Sequence, residues 1–194
     1  MPGVGLMNNI QKQLGLDDQS YGKLKLFNRI LISYNDFKQA HEIASLLIEG
    51  NLYDKYPEEN RCLVIALNMA AIIAYARPFL DSKGELAHNR LPGKVLKILS
   101  EEEKIVHKTV LEDRNTMMAH SDADANLSIP YVLKIANRSI IVPQNASPYA
   151  TPLVPDAMNK LCTMSYKLQE YCFKLRQEME PDILPILPKV ETDP

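Results

Sequence analysis

The sequence predicts a mainly α protein, an up-and-down helical bundle carrying a small β-hairpin, and three observations point that way. Apolar residues recur at helical spacing over four stretches, each opening on a capping residue, a proline or an acidic first turn. One of these, Cys62 to Ala76, is apolar around most of its circumference, a pattern that belongs at the centre of a bundle or between a bundle and a partner subunit. Runs rich in β-formers are confined to 24–32 and 131–142.

Taken in order, residues 1–22 mix Gly, Asn, Gln and Asp with few apolar anchors and predict a loosely held segment or one short helix. From Leu24 to Ile32 the even positions Leu24, Leu26, Ile30 and Ile32 alternate with Lys25, Phe27, Arg29 and Leu31, which favours a strand. Ser33, Asn35 and Asp36 supply N-cap chemistry for a helix through Phe37, Ala40, Ile43, Ala44 and Leu47, closed by Gly50. A second helix is expected from Pro57-Glu58-Glu59 to Ala76, stopped by Pro78. Residues 80–93 read as a loop and 94–99 as a short helical piece.

Ser100 with Glu103 three residues on is a capping-box signature, opening a helix that carries Ile105, Val106, Val110, Leu111, Met117 and Met118. The β-forming run from Tyr131 to Val142, broken at Asn137-Arg138-Ser139, predicts a hairpin that could pair with the strand at 24–32. Asp156 is the expected cap of a last helix to about Glu180, and 181–194 reads as an extended proline-rich tail. The organisation is then a single helical domain over 23–180, flanked by the segments 1–22 and 181–194.

Composition narrows the function classes. A net charge of −2 and a pI near 6.1 give no global positive field of the kind that draws proteins onto duplex DNA or acidic membranes. Cys62, Cys162 and Cys172 show no metal-ligand spacing and read as buried thiols in a reducing compartment. The first ten residues lack the basic and apolar regions of a signal peptide, and the apolar stretch from Cys62 to Ala76 falls short of the roughly 20 residues of a membrane span. A soluble cytoplasmic protein is expected, without membrane contact. His41 and His88 have no partners in the sequence pattern and read as surface residues.

One heptad carries candidate chemistry: Arg114-Asn-Thr-Met-Met-Ala-His120. A guanidinium presents a planar fork of donors to phosphate oxygens, and an imidazole with a reference pKa of about 6.5 exchanges protons near neutrality. Together they suit phosphoryl chemistry with no metal and no cofactor. The bland alternative stands beside it: Arg114 as a solvated residue paired with a carboxylate, and His120 as a cation against a helix C-terminus.

The Arg-polar-x4-His run, with Arg114, Asn115 and His120, resembles the mark of the HEPN superfamily. The longer string Leu-Glu-Asp-Arg-Asn-Thr-Met-Met-Ala-His-Ser-Asp is similar to the bacterial branch whose motif ends in Ala-His-Ser/Thr-Asp, as is Ala-Tyr-Ala-Arg-Pro-Phe at 74–79. The resemblance covers about residues 36–122. It implies a helical homodimer that brings two motifs into one cleft, and a metal-independent endoribonuclease in a toxin, anti-phage or stress setting, with an antitoxin or other protein as partner. Arg114 would then hold the scissile phosphate, His120 would move the proton of the 2′-hydroxyl or the leaving 5′-oxygen, and Asn115 would orient one of them. Ser121 would join His107 and Arg77 in contacting substrate. The competing expectation is a non-catalytic HEPN-like dimer that binds a nucleotide, RNA or a protein.

Helical geometry constrains this reading. Residues six apart on a regular helix lie about 120° apart, so Arg114 and His120 share a face only if the helix ends before His120. His107 and Arg114, seven apart, do share one. Two features depart from a simple carry-over. Asp122 stands where one sub-branch has Tyr. Glu101, Glu102, Glu103, Glu112, Asp113, Asp122 and Asp124 surround the motif with charge that repels RNA unless it is offset.

Overall fold

A computed structural model describes residues 11–54, 60–118, 128–136, 138–145 and 153–187. Among the described residues four helices form the bundle: α1 (Asp18–Glu49), α2 (Arg61–Ala76), α3 (Glu101–Met118) and α4 (Pro155–Ile183). A two-stranded antiparallel hairpin, β1 (Ser128–Ile135) and β2 (Arg138–Asn145), lies between α3 and α4 in sequence. Helix α1 packs along both α2 and α4, and α3 closes against α2 and α4. The mainly α class with an appended hairpin is therefore what the chain adopts.

Helix α1 overturns the expected strand at 24–32. The alternation there is incidental, because Leu24, Phe27, Ile30, Ser33, Phe37, Ala40, Ala44 and Leu47 are all buried and step by three or four along the whole element. Ile32, an inward position in the strand reading, is 45% exposed. The helix begins at Asp17, whose carboxylate accepts from the Ser20 amide at 2.7 Å, so the expected cap at Ser33 to Asp36 lies in mid-helix. Part of the segment expected to be loose is thus structured: 11–13 and 18–22 are helical, while 1–10 lie outside the described residues. Gly50 caps α1 because a Cβ there would meet the Leu46 carbonyl at 2.6 Å. The left-handed turn falls to Asn51 instead, at φ 48°.

Helix α2 starts at Arg61; the expected start at Pro57 to Glu59 lies outside the described residues. With the 3₁₀ turn Arg77–Phe79 it forms a 19-residue stretch apolar enough, by length and composition, to cross a membrane. That is longer than the sequence reading allowed. Here Val64, Ala71, Ile72, Ala74 and Tyr75 are fully buried in the bundle core. Asn68, the polar residue within it, is satisfied by the Val64 carbonyl at 3.0 Å and the Tyr53 hydroxyl.

The expected piece at 94–99 is a 3₁₀ helix, Gly93–Ile98. The capping box forms as the sequence predicts: the Glu103 carboxylate accepts from the Ser100 amide at 2.8 Å and Ser100 Oγ accepts from the Glu103 amide at 3.2 Å. We expect Ser100→Ala to cost about 1 kcal/mol, read as a lowered urea midpoint with an unchanged slope.

At the other end of the chain, Asp156 is not the cap of α4. Val154 holds that position and Pro155 starts the helix, with Asp156 in the first turn where its charge suits the dipole. The extended tail is also corrected in part. Helix α4 runs through Pro181 to Ile183, and a 3₁₀ turn covers Leu184–Ile186. Ile183 is buried with Leu24 and Phe27 of α1, and this apolar contact carries the helix past the proline. The hairpin spans slightly more than its predicted 131–142, pairing Ile135 with Arg138 across a tight turn in which Ala136 takes φ 52°. Its described strands pair with each other and not with residues 24–32, which are helical.

Candidate functional site

Helix α3 presents one stripe to the bundle: Glu103, His107 and Val110 are buried, and Arg114, one turn further on, is half-buried. That spacing of four, three and four residues is a single helical face. Arg114 thus lies on the same helical face as this core-facing row. Its Nη1 donates to the side-chain oxygen of exposed Asn115 at 3.2 Å, joining the first two motif residues. His120 and Ser121 lie outside the described residues, as does the end of the helix on which their geometry depends.

His107 sits deeper. Its Nδ1 lies 3.0 Å from the Tyr75 hydroxyl, and its ring meets Tyr75 and Phe79 edge-on with centroids 5.8 and 4.6 Å away. Burial lowers its pKa from the ordinary value, since an imidazolium would lose its hydration there. Burial, and secondarily the charge of Glu103, raises that of the Tyr75 phenol, which stays neutral and able to donate. Glu103 itself is pushed up by burial, but hydrogen bonds from Lys167 and Ser100 together outweigh this and hold its carboxyl low. His107 is therefore a satisfied bundle histidine two turns before Arg114, about 10 Å along the axis.

The lowered pKa has a consequence for stability. The unfolded chain takes up a proton at about 6.5 while the folded one resists it, so this contribution is complete above about 6.5 and is lost as pH falls toward the folded value. Urea midpoints at pH 7.5 and 5.5 should therefore differ, and His107→Asn should reduce the difference.

Arg77, the C-cap of α2, bonds to α1. Its Nη1 donates to Asp36 at 3.2 Å and to the Gln39 side-chain oxygen at 3.0 Å. Burial raises the Asp36 pKa and prevails over the bond and charge of Arg77 and the charge of Arg29. Arg29, 3% exposed, donates from Nε to the His88 carbonyl at 2.6 Å and from Nη2 to the Asn89 carbonyl and to Ser82 Oγ, stapling the 80–92 loop to α1. The buried role of Arg29 escaped the sequence reading because the strand assigned to 24–32 hid the helical face it shares with Asp36, whose carboxylate binds the Arg77 already singled out in the sequence. Tyr75 was within reach, as the aromatic of Tyr-Ala-Arg-Pro-Phe.

Asp113, beside Arg114, has its pKa raised by burial and then by the charge of Glu112. A cavity of about 250 Å³ lies elsewhere, among Leu26, Ile30, Leu91, Val95, Leu175 and Met179, with Lys23 and Asp182 also in its wall. Neither Arg114 nor Asn115 lines it. Among the described residues no group of three His, Cys, Asp or Glu side chains is arranged to hold a metal.

These features define a mainly α bundle with a hairpin appendage, in which Arg114 shares a helical face with buried Glu103, His107 and Val110. No family model, no curated protein and no solved structure matches the chain.

Proposed function

We propose that this protein is a HEPN-like, metal-independent endoribonuclease, active as a homodimer whose paired motifs share a cleft. The observation that carries the reading is Arg114 at the half-buried end of the Glu103, His107, Val110 stripe, joined to Asn115 by a hydrogen bond. The packed helix sets where the Arg114 backbone stands, and the guanidinium it carries has the charge and planar fork that stabilising a phosphorane-like species requires. His120 then moves the proton of the attacking 2′-hydroxyl or of the leaving 5′-oxygen, and the product is a 2′,3′-cyclic phosphate. One motif supplies few donors and one base, so the second copy completes the constellation. We place the protein in the cytoplasm, off the membrane, where RNA and an antitoxin or other protein partner are within reach.

A second reading, a non-catalytic dimer binding a nucleotide, RNA or protein, is favoured by one observation. Glu112, with Lys108 3.8 Å away, and Asp113 directly precede Arg114 in a chain of net charge −2, and carboxylates next to the motif oppose RNA binding. One experiment separates the two. Mixed RNA is incubated with purified protein in EDTA and the 3′ ends are analysed, with the oligomeric state read by light scattering. Cyclic phosphate ends from a dimer support the nuclease; intact RNA, or a monomer at micromolar concentration, overturns the shared-cleft mechanism.

A further inference from the structure

The cavity of about 250 Å³ lies where α1, α4 and the 3₁₀ helix Gly93–Ile98 meet. Ile30, Leu91 and Val95, its buried wall, belong to the main core, and Met179 packs against both that core and the smaller cluster of Leu24, Phe27 and Ile183. The charged side chains stand on the solvent side: Lys94, Glu178 and Asp182 are exposed and Lys23 is half-exposed. The cavity thus has an apolar bottom and a charged mouth.

We propose that this cavity binds a small uncharged aliphatic molecule, its chain against Ile30, Leu91 and Val95 and its polar end at the mouth. Volume sets the size. A cavity of about 150 Å³ lined by aliphatic and aromatic side chains admits benzene, and pockets for drug-sized ligands start at about 300 Å³, so the occupant has roughly six to ten non-hydrogen atoms. The wall sets the apolar character. Water at the bottom would want about two to four polar partners, and Ile30, Leu91 and Val95 offer it only apolar side chains. Among the described residues no aromatic ring lines the cavity, so a chain fits it as well as a flat ring, and unbranched Met179 lets the wall follow the chain's shape.

Charge sets the head group. Two lysines and two carboxylates surround the cavity, and Lys23 is bonded to Asp182 at 2.7 Å, so neither an ammonium nor a carboxylate head meets a net opposite charge. An ion drawn in would lose hydration without a partner to replace it. Neither Arg114 nor Asn115 lines the cavity, so this binding is independent of the nuclease reading.

Purified protein is titrated with 1-octanol, sodium octanoate and octylammonium chloride, three probes of one chain length, by isothermal titration calorimetry near neutral pH. Thermal unfolding is recorded alongside. Octanol should give a saturable heat and a Tm that rises with its concentration, and each charged probe should bind at least about tenfold more weakly. Leu26→Trp on α1 and Met179→Trp on α4 each fill the space from a different side and should weaken octanol binding by at least about tenfold, while Leu46→Trp, at an exposed position of α1, should leave it unchanged. Absence of a saturable heat with octanol, a charged probe that binds as tightly, or unchanged octanol binding in a folded filling variant overturns the proposal. The three probes on the unaltered protein decide the matter even if a filled variant fails to fold.

Discussion

Arg114→Ala and His120→Ala should each lower RNA cleavage in EDTA by roughly 10²- to 10⁴-fold, the range for losing a charge-stabilising donor or a positioned acid-base group. Arg114→Lys should fall between, because an ammonium keeps the charge but loses the planar fork that spans two phosphate oxygens. The fold should survive the changes at Arg114, whose guanidinium bonds the adjacent Asn115 on its own helix, an exposed residue. Matched thermal unfolding curves would show this. Equal cleavage by the parent and both alanine variants would sink the assignment of chemistry to the motif. Retained RNA binding without cleavage in the parent would move the conclusion to the binding-module reading.

The second large effect is on stability. Phe37→Ala should cost about 3 to 5 kcal/mol, the range for removing a buried aromatic ring from a packed core. Phe37 is fully buried and its ring meets Tyr75 and Phe79 with centroids 5.9 and 5.7 Å away, so the cavity opens where α1, α2 and the 3₁₀ turn converge. In a chain of this size, that loss lowers Tm by about 6 to 20 °C. Leu46→Ala on the same helix is the control, since Leu46 is 55% exposed and its truncation should cost no more than about 0.5 kcal/mol. Similar Tm losses in the two variants would show that the aromatic cluster is not the centre of the fold. Because Tyr75 and Phe79 also contact His107, the same variant should loosen the row that leads to Arg114.

Much of the fold is legible in the sequence where one local interaction dominates. The capping box of Ser100 and Glu103 closes within four residues of chain, and the structure forms both of its hydrogen bonds. The hairpin follows from β-formers on either side of a short turn, and its register is set there. The face shared by His107 and Arg114 follows from the helical period alone. The errors fall where a local pattern was ambiguous and distant residues resolved it. Lys25 and Arg29 looked like the outward half of a strand. Arg29 instead needs the carbonyls of His88 and Asn89, some sixty residues away, to satisfy a buried guanidinium.

The candidate site divides in the same way. Sequence alone determined the residue types and spacing of Arg114, Asn115 and His120, because a motif is a property of the chain. It also determined the helical class, through apolar periodicity and capping chemistry that act over a few residues. Only the tertiary structure decided that His107 is a buried partner of Tyr75, that Arg77 is held by Asp36 and Gln39, and that His41 meets Cys162. Each of those facts depends on which helix packs against which, and the desolvation and hydrogen bonding that fix a side chain's role come from residues brought close by packing rather than by order along the chain.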